Sequence, residues 1–203
     1  LGRRPPNPSA PRYPRPFGAP GRLGSLLQVN KTTTVAELAH RARDAAPILA
    51  IATTAKKDAG LRAAADYLEA NRDGILEANA QDVAAAKAHN LPAPKVRRLA
   101  LSEEKLESMA QALEALVELP DPVGEIEDLI TKPDGLVVGR MRVPLGVISM
   151  IYESRPDATS DAVGLCLKSG NAVLLRGGSE ALGSNLAIEK ALLAGAQEAG
   201  IPA

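Results

Sequence analysis

Two short turns carry the residue types best suited to chemistry. In Arg176-Gly177-Gly178-Ser179-Glu180 a cation and a carboxylate flank two glycines, and glycine lets a backbone approach a ligand closely. A helix following directly would aim its free amides at the same space, which suits phosphate. Arg176 is then placed to pair with a ribose 2′-phosphate, selecting NADP(H), and Glu180 to accept from a ribose hydroxyl or to cap the helix. The second turn is Glu153-Ser154-Arg155-Pro156-Asp157. The planar guanidinium of Arg155 matches two oxygens of a phosphate or carboxylate at once. Ser154, Arg155 and Asp157 make up a candidate substrate and oxyanion region, although Asp157 also reads simply as a helix cap. Both turns have a plain structural reading, because a strand, a Gly-Gly pair and a capped helix recur throughout α/β proteins. No G-x-G-x-x-G occurs, which argues against an ordinary Rossmann dinucleotide site.

The elements around these turns form one βαβα unit. Leu145 to Tyr152 is an almost unbroken apolar run of strand length, as expected of a strand covered on both faces. Pro156 and Asp157 open a helix, which Gly170 ends as a left-handed cap. Asn171 to Leu175 supplies a second strand, and a long helix runs from about Ser179 to Ala199 and ends at Gly200. Parallel strands joined by a crossover bring both turns to one edge of the sheet, where open α/β folds bind ligands. The fold class is therefore α/β, an incomplete parallel nucleotide-binding sheet preceded by helices.

Those helices begin at Thr34, where Thr34-Val35-Ala36-Glu37 fits a capping box. Pro47 is expected to kink or divide the first helix near its end. Two alanine-rich helices follow, to about Asn71 and His89, and Leu91-Pro92-Ala93-Pro94 reads as a loop. Ser102 caps a helix with one apolar stripe, Leu106, Met109, Ala110, Leu113, Leu116 and Val117, which Pro120 ends. Pro133-Asp134-Gly135 is a turn signal before a strand with apolar Val137, Met141 and Val143 on one face and Arg140 and Arg142 on the other. Seven prolines among the first twenty residues, several arginines and no periodicity predict a disordered leader over residues 1–33 and a folded domain over 34–203.

Composition narrows the function further. Residues 1–31 hold six Lys or Arg and no acid, so the remainder carries 18 bases against 24 acids. An acidic body with Tyr67 and Tyr152 as its only aromatics offers neither a phosphate-binding face nor a stacking platform for nucleic acid. His40 and His89 are isolated and Cys166 is the single cysteine, so no metal site or disulfide is expected. Cys166 lies among Val163, Gly164, Leu165 and Leu167 on an amphipathic helix, the setting of a packed hydrophobe, not a nucleophile. No apolar run reaches the ~18 residues of a membrane span; a cytoplasmic protein is expected.

The stretch VPLGVISMIYESRPDATSDAVGLCLKSGNAVLLRGGSEALGSN, with its ESRP, LCLKSGNAV and LRGG segments, resembles gamma-glutamyl phosphate reductase, the proline-pathway branch of the aldehyde dehydrogenase superfamily. Weaker similarity runs back to about Val35. The resemblance implies aldehyde dehydrogenase-like N-terminal helices and a nicotinamide site on the sheet that lacks the glycine fingerprint. It also implies an NADPH-dependent reduction of L-glutamyl 5-phosphate, in which a cysteine thiolate displaces phosphate and hydride reduces the thioester to glutamate 5-semialdehyde. The family's nucleophilic cysteine is expected beyond Ala203, making this chain an inactive N-terminal piece with no catalytic residue of its own. The Val137–Val143 strand is implied to join an arm used in homo-oligomer assembly. The family commonly has asparagine where this chain has Asp157, which puts an amide-like role there in question. Two alternatives stay open: a non-catalytic nucleotide-binding or interaction module, and the reductase half of a bifunctional pyrroline-carboxylate synthase.

Overall fold

A computed structural model describes residues 33–202; the leader expected over residues 1–33 lies, Thr33 apart, outside the described residues. The elements are α1 (Val35–Ala50), α2 (Thr54–Ala70), α3 (Arg72–Ala88), α4 (Ala93–Leu99), α5 (Glu103–Glu118), β1 (Ile126–Thr131), β2 (Val137–Met141), β3 (Val147–Ile151), α6 (Asp157–Lys168), β4 (Ala172–Arg176) and α7 (Leu182–Glu198), with a 3-10 turn at Ser179–Ala181.

Local signals fix most helix ends. Thr34 and Glu37 form the reciprocal capping box, and the Ser102 hydroxyl accepts from the Lys105 amide at 3.3 Å. Gly170, at φ +73°, closes α6 with the Asn171 amide on the Cys166 carbonyl at 2.8 Å, and Gly200, at φ +71°, closes α7 likewise. Two details differ from expectation. Of the kink or division expected at Pro47, no division occurs, because α1 continues through it to Ala50. The proline is exposed, and so is Arg43, so water can take up the carbonyl that loses its helical partner. The proline-rich segment after Asn90 is a loop only as far as Pro92. Pro94 sits in the first turn of α4, where a missing N–H costs nothing.

The core is built on α2 and α7. Leu61, Ala64, Ala65 and Leu68 face Ile188, Ala191, Leu192 and Ala196, all buried. At their closest point a Cβ on Gly195 would lie 2.5 Å from the backbone of Ala63 and Ala64, so the two helices touch main chain to main chain. The stripe Leu106, Met109, Ala110 and Leu113 of α5 packs on the other side of α2. Each fully buried leucine or isoleucine contributes roughly 1.5–3 kcal/mol. Two charge pairs are buried with this core. Lys57 Nζ lies 2.5 Å from Asp121 Oδ2, and Lys168 Nζ reaches Asp58 Oδ1 at 2.8 Å and the Val117 carbonyl at 3.1 Å.

A satellite cluster of Ala86, Leu99 and Ala181, flanked by Val83, Leu91 and Val96, ties α4 and the 3-10 turn to α3. This small cluster positions one wall of the site described below.

The sheet beside the core has two parallel strands, with Val147 opposite Ala172 through to Ile151 opposite Arg176. α1 and α6 pack on it mainly through β4. As a result β3 is not covered on both faces as its apolar sequence led us to expect: Val147, Ser149 and Ile151 are exposed. β1 and β2 form a separate antiparallel hairpin around the turn at Pro133-Asp134-Gly135, with a bulge between Glu127 and Ile130. Its arginines are paired within the hairpin, Arg140 with Asp128 and Arg142 with Glu125 and Glu127. Ile126, Leu129, Ile130, Val137 and Met141 remain exposed.

Candidate functional site

The parallel ladder does what the sequence required of it. Tyr152 extends the pairing by one bond, its amide donating to the Arg176 carbonyl at 3.1 Å, so the Glu153–Asp157 and Gly177–Glu180 turns leave the sheet side by side. Behind them runs a hydrogen-bonded relay. Tyr152 Oη lies 2.6 Å from Thr159 Oγ1, which donates to Asn185 Oδ1 at 3.2 Å. Asn185 in turn covers Gly177, where a Cβ would sit 2.2 Å from Asn185 Nδ2.

Ser154, Gly178 and Glu180 meet in front of this relay. Ser154 is buried, and a Cβ on Gly178 would fall 2.4 Å from its Oγ. A side chain at either glycine would force Asn185 or Ser154 to shift. Hydrogen bonds from Ser154 and then from its own backbone amide hold the Glu180 carboxyl below the usual carboxylate range against the opposing effect of burial, with lesser help from Ser179, at 3.3 Å, and the nearby Lys95 ammonium. Glu180 is therefore a charged acceptor. A cleft of about 110 Å³ opens here, lined by Lys95, Arg98, Glu153, Ser154, Gly178 and Glu180. Arg98 Nη1 donates to Glu153 Oε2 at 3.0 Å across one wall. A larger open groove of about 350 Å³, lined by Leu76, Ala80, Val83 and Leu101 among others, lies elsewhere. We place no site there, because Asn79, its one buried polar residue, is already fully bonded: to the Leu99 carbonyl at 2.9 Å, Ser184 Oγ at 3.0 Å and the Leu101 amide at 2.8 Å.

Other candidate residues stand apart from the cleft. Arg176, Arg155 and Ser179 are exposed and none of them lines it. Asp157 does not cap α6: it is the first helical residue, and no side-chain cap bond forms there. Its Oδ2 pairs with Lys105 Nζ at 3.3 Å while Oδ1 is buried without a partner. One turn on, burial and then the negative charge of Asp157 push the Asp161 carboxyl above its ordinary range. Nor does the long helix start at the glycine turn with open amides. The 3-10 turn intervenes, and the leading amides of α7 are taken by α3: Asp82 accepts from Ser184 N and Ser184 Oγ, each at 2.7 Å, and from Gly183 N at 3.3 Å. Phosphate binding on those amides is thereby excluded while Asp82 holds them.

Four residues that shape the site went unnoticed in the sequence. Lys95 and Arg98 were hidden by the prolines around them, although Val96 and Leu99 at helical spacing behind Pro94 are a usable sign. Asn79 and Asp82 lie on the same side of α3 as buried Ile75 and Ala86, and polar residues at apolar spacing are the available signal. Cys166 is 6% exposed, and burial pushes its thiol pKa up, the opposite of what a nucleophile needs. Among the described residues no helix is long and apolar enough to cross a membrane, and no cluster of metal-ligating side chains occurs.

This arrangement of helices and sheet is shared with solved structures. Two structures named as aldehyde dehydrogenases, from Bacillus subtilis and Listeria monocytogenes, share the fold at TM-scores of 0.59 and 0.58, with 23% and 20% identity. The chain has the aldehyde dehydrogenase fold. Within that class the likeness is much stronger to one branch. The gamma-glutamyl phosphate reductase of Thermotoga maritima matches at TM-score 0.80 and 44% identity, over 82% of this chain and 40% of that one. The Saccharomyces cerevisiae protein of the same name matches at 0.76 and 32%, over 84% and 45%. Curated gamma-glutamyl phosphate reductases of Solidesulfovibrio magneticus and Moorella thermoacetica are 51% and 49% identical over 166 and 174 residues, which is 82% and 86% of this chain. No protein-family model matches. The chain is homologous to the gamma-glutamyl phosphate reductases and spans about two fifths of the length of the curated relatives it matches.

Proposed function

We propose that the protein carrying this chain reduces L-glutamyl 5-phosphate to L-glutamate 5-semialdehyde, releasing phosphate, with NADPH as reductant, in the formation of L-proline. The reading is carried by one observation: identity of 44–51% to reductases of that name over more than four fifths of the chain. In this reading residues 34–203 are the cofactor-binding portion. The nicotinamide cofactor, when bound, supplies hydride. The cleft fits part of such a molecule, since Glu180 is a charged acceptor for a ribose hydroxyl, Lys95 and Arg98 are cations beside it, and Gly177 and Gly178 let both turns close together. At about 110 Å³ it is smaller than a complete ligand site, so it would hold one portion of the dinucleotide. Arg155, exposed on the Glu153–Asp157 turn, would orient an oxyanion of the substrate. Cys166 is unsuited to attack an acyl phosphate, so the nucleophile would come from outside these 203 residues. The apolar residues exposed on the β1–β2 hairpin support assembly with a second copy, and a neutral chain without an apolar span supports action in the cytoplasm.

The test is to isolate the native polypeptide from its source and follow NADPH oxidation while L-glutamyl 5-phosphate is generated in situ. Equal amounts of phosphate and semialdehyde should form. Native protein that consumes no NADPH under those conditions would refute the assignment.

A further inference from the structure

Resting on the reading of the cleft as part of the cofactor site, we propose that Lys95 is its specificity-determining residue. Its ammonium pairs with a phosphate on the ribose whose hydroxyl Glu180 accepts, and so selects the 2′-phosphorylated dinucleotide. The argument starts from charge. The cleft is lined by two cations and two carboxylates. Arg98 and Glu153 satisfy each other at 3.0 Å, which leaves Glu180 and Lys95. Glu180 is held ionised by hydroxyl donors, and an ionised carboxylate alone favours an unmodified ribose and repels a phosphate on the adjacent carbon. Among the described residues the Lys95 ammonium makes no hydrogen bond or ion pair, yet its field reaches Glu180. Of the two cations that line the cleft, a phosphate beside Glu180 would therefore find Lys95 not already engaged.

Placement supports the same conclusion. Lys95 and Arg98 are three residues apart, on one face of α4. Leu99 and Ala181, both fully buried in the same satellite cluster, fix α4 against the 3-10 turn that carries Glu180. The relative placement of the two backbone segments that carry Lys95 and Glu180 is thus set by packing. Arg176, the residue to which the sequence assigned this contact, is exposed and does not line the cleft.

The experiment is an equilibrium titration of the chain with 2′,5′-ADP, 5′-AMP and acetyl phosphate, repeated with Lys95→Met and Lys95→Arg. Wild type should bind 2′,5′-ADP more tightly than 5′-AMP. Lys95→Met should weaken 2′,5′-ADP by about tenfold or more, the value of one charge-assisted contact, and leave 5′-AMP unchanged. Lys95→Arg should restore most of the preference. Equal weakening of both nucleotides, or of neither, in Lys95→Met would overturn the proposal while leaving the cofactor site standing. Acetyl phosphate competing for the cleft where 2′,5′-ADP does not would assign Lys95 to the acyl phosphate instead. Wild type that binds no nucleotide at all would remove the cofactor reading and this proposal together.

Discussion

Asp121 shows how a single residue sets the acid stability of the fold. Its burial alone would raise the carboxyl, but hydrogen bonds from Lys57, Thr54 and the Val123 amide outweigh that and hold it below its ordinary range. A depressed folded pKa stabilises the native state fully above the unfolded value of about 3.9, and that contribution is lost as pH falls through the folded value. Urea midpoints should therefore drop below about pH 4 by more in wild type than in a Lys57→Met, Asp121→Val double variant. Asp121→Ala alone strands the wholly buried Lys57 ammonium and should cost about 3–5 kcal/mol at neutral pH. An Asp121→Ala loss below 1 kcal/mol in urea melts would show that the pair contributes little. At the same scale, the turns that carry Ser154 and Glu180 were visible in the sequence because turn composition is local. The bond between them was not visible, since it joins two turns that only the parallel ladder brings together.

Among the elements, α3 does the most for the site without lining the cleft. Asn79 fastens the end of α4 and the start of α7, and Asp82 caps α7 from another helix. The caps that Thr34 and Ser102 supply are written within a few residues of the helices they start, so the sequence reveals them. A cap lent by a residue about a hundred positions away has no such signature, and the sequence reading accordingly left the α7 amides free. The α2–α7 contact makes a sharper element-scale prediction. Gly195→Ala would drive a methyl into the backbone of Ala63 and Ala64, whereas Gly164→Ala would meet the movable ends of Leu113 and Leu116 at 2.6 and 2.8 Å. Gly195→Ala should cost ~3 kcal/mol or more and Gly164→Ala ~1–2 kcal/mol, read from denaturant midpoints. The reverse order would mean that the helices separate more easily than side chains rearrange.

Taken over all the described residues, the fold is a helical core with a two-stranded parallel sheet set against it, and the sequence conveyed that plan through apolar periodicity and the ESRP and LRGG turns. It did not convey how bare the outer side of β3 is, because an apolar strand has the same sequence whether or not a further layer covers it. The central claim concerns the one edge of that sheet where both turns converge, and calorimetric titration of the chain with NADPH tests it most directly when wild type is compared with Gly178→Ala. Gly178 has φ −63° and ψ 144°, which alanine adopts freely, so what distinguishes the two proteins is the new methyl, 2.4 Å from Ser154 Oγ and 3.0 Å from Glu180 Oε2. The account predicts saturable binding by wild type and at least about tenfold weaker binding by Gly178→Ala, with thermal stability changed by no more than about 1 kcal/mol. Equal affinities, or no saturable binding by the wild-type chain, would contradict it.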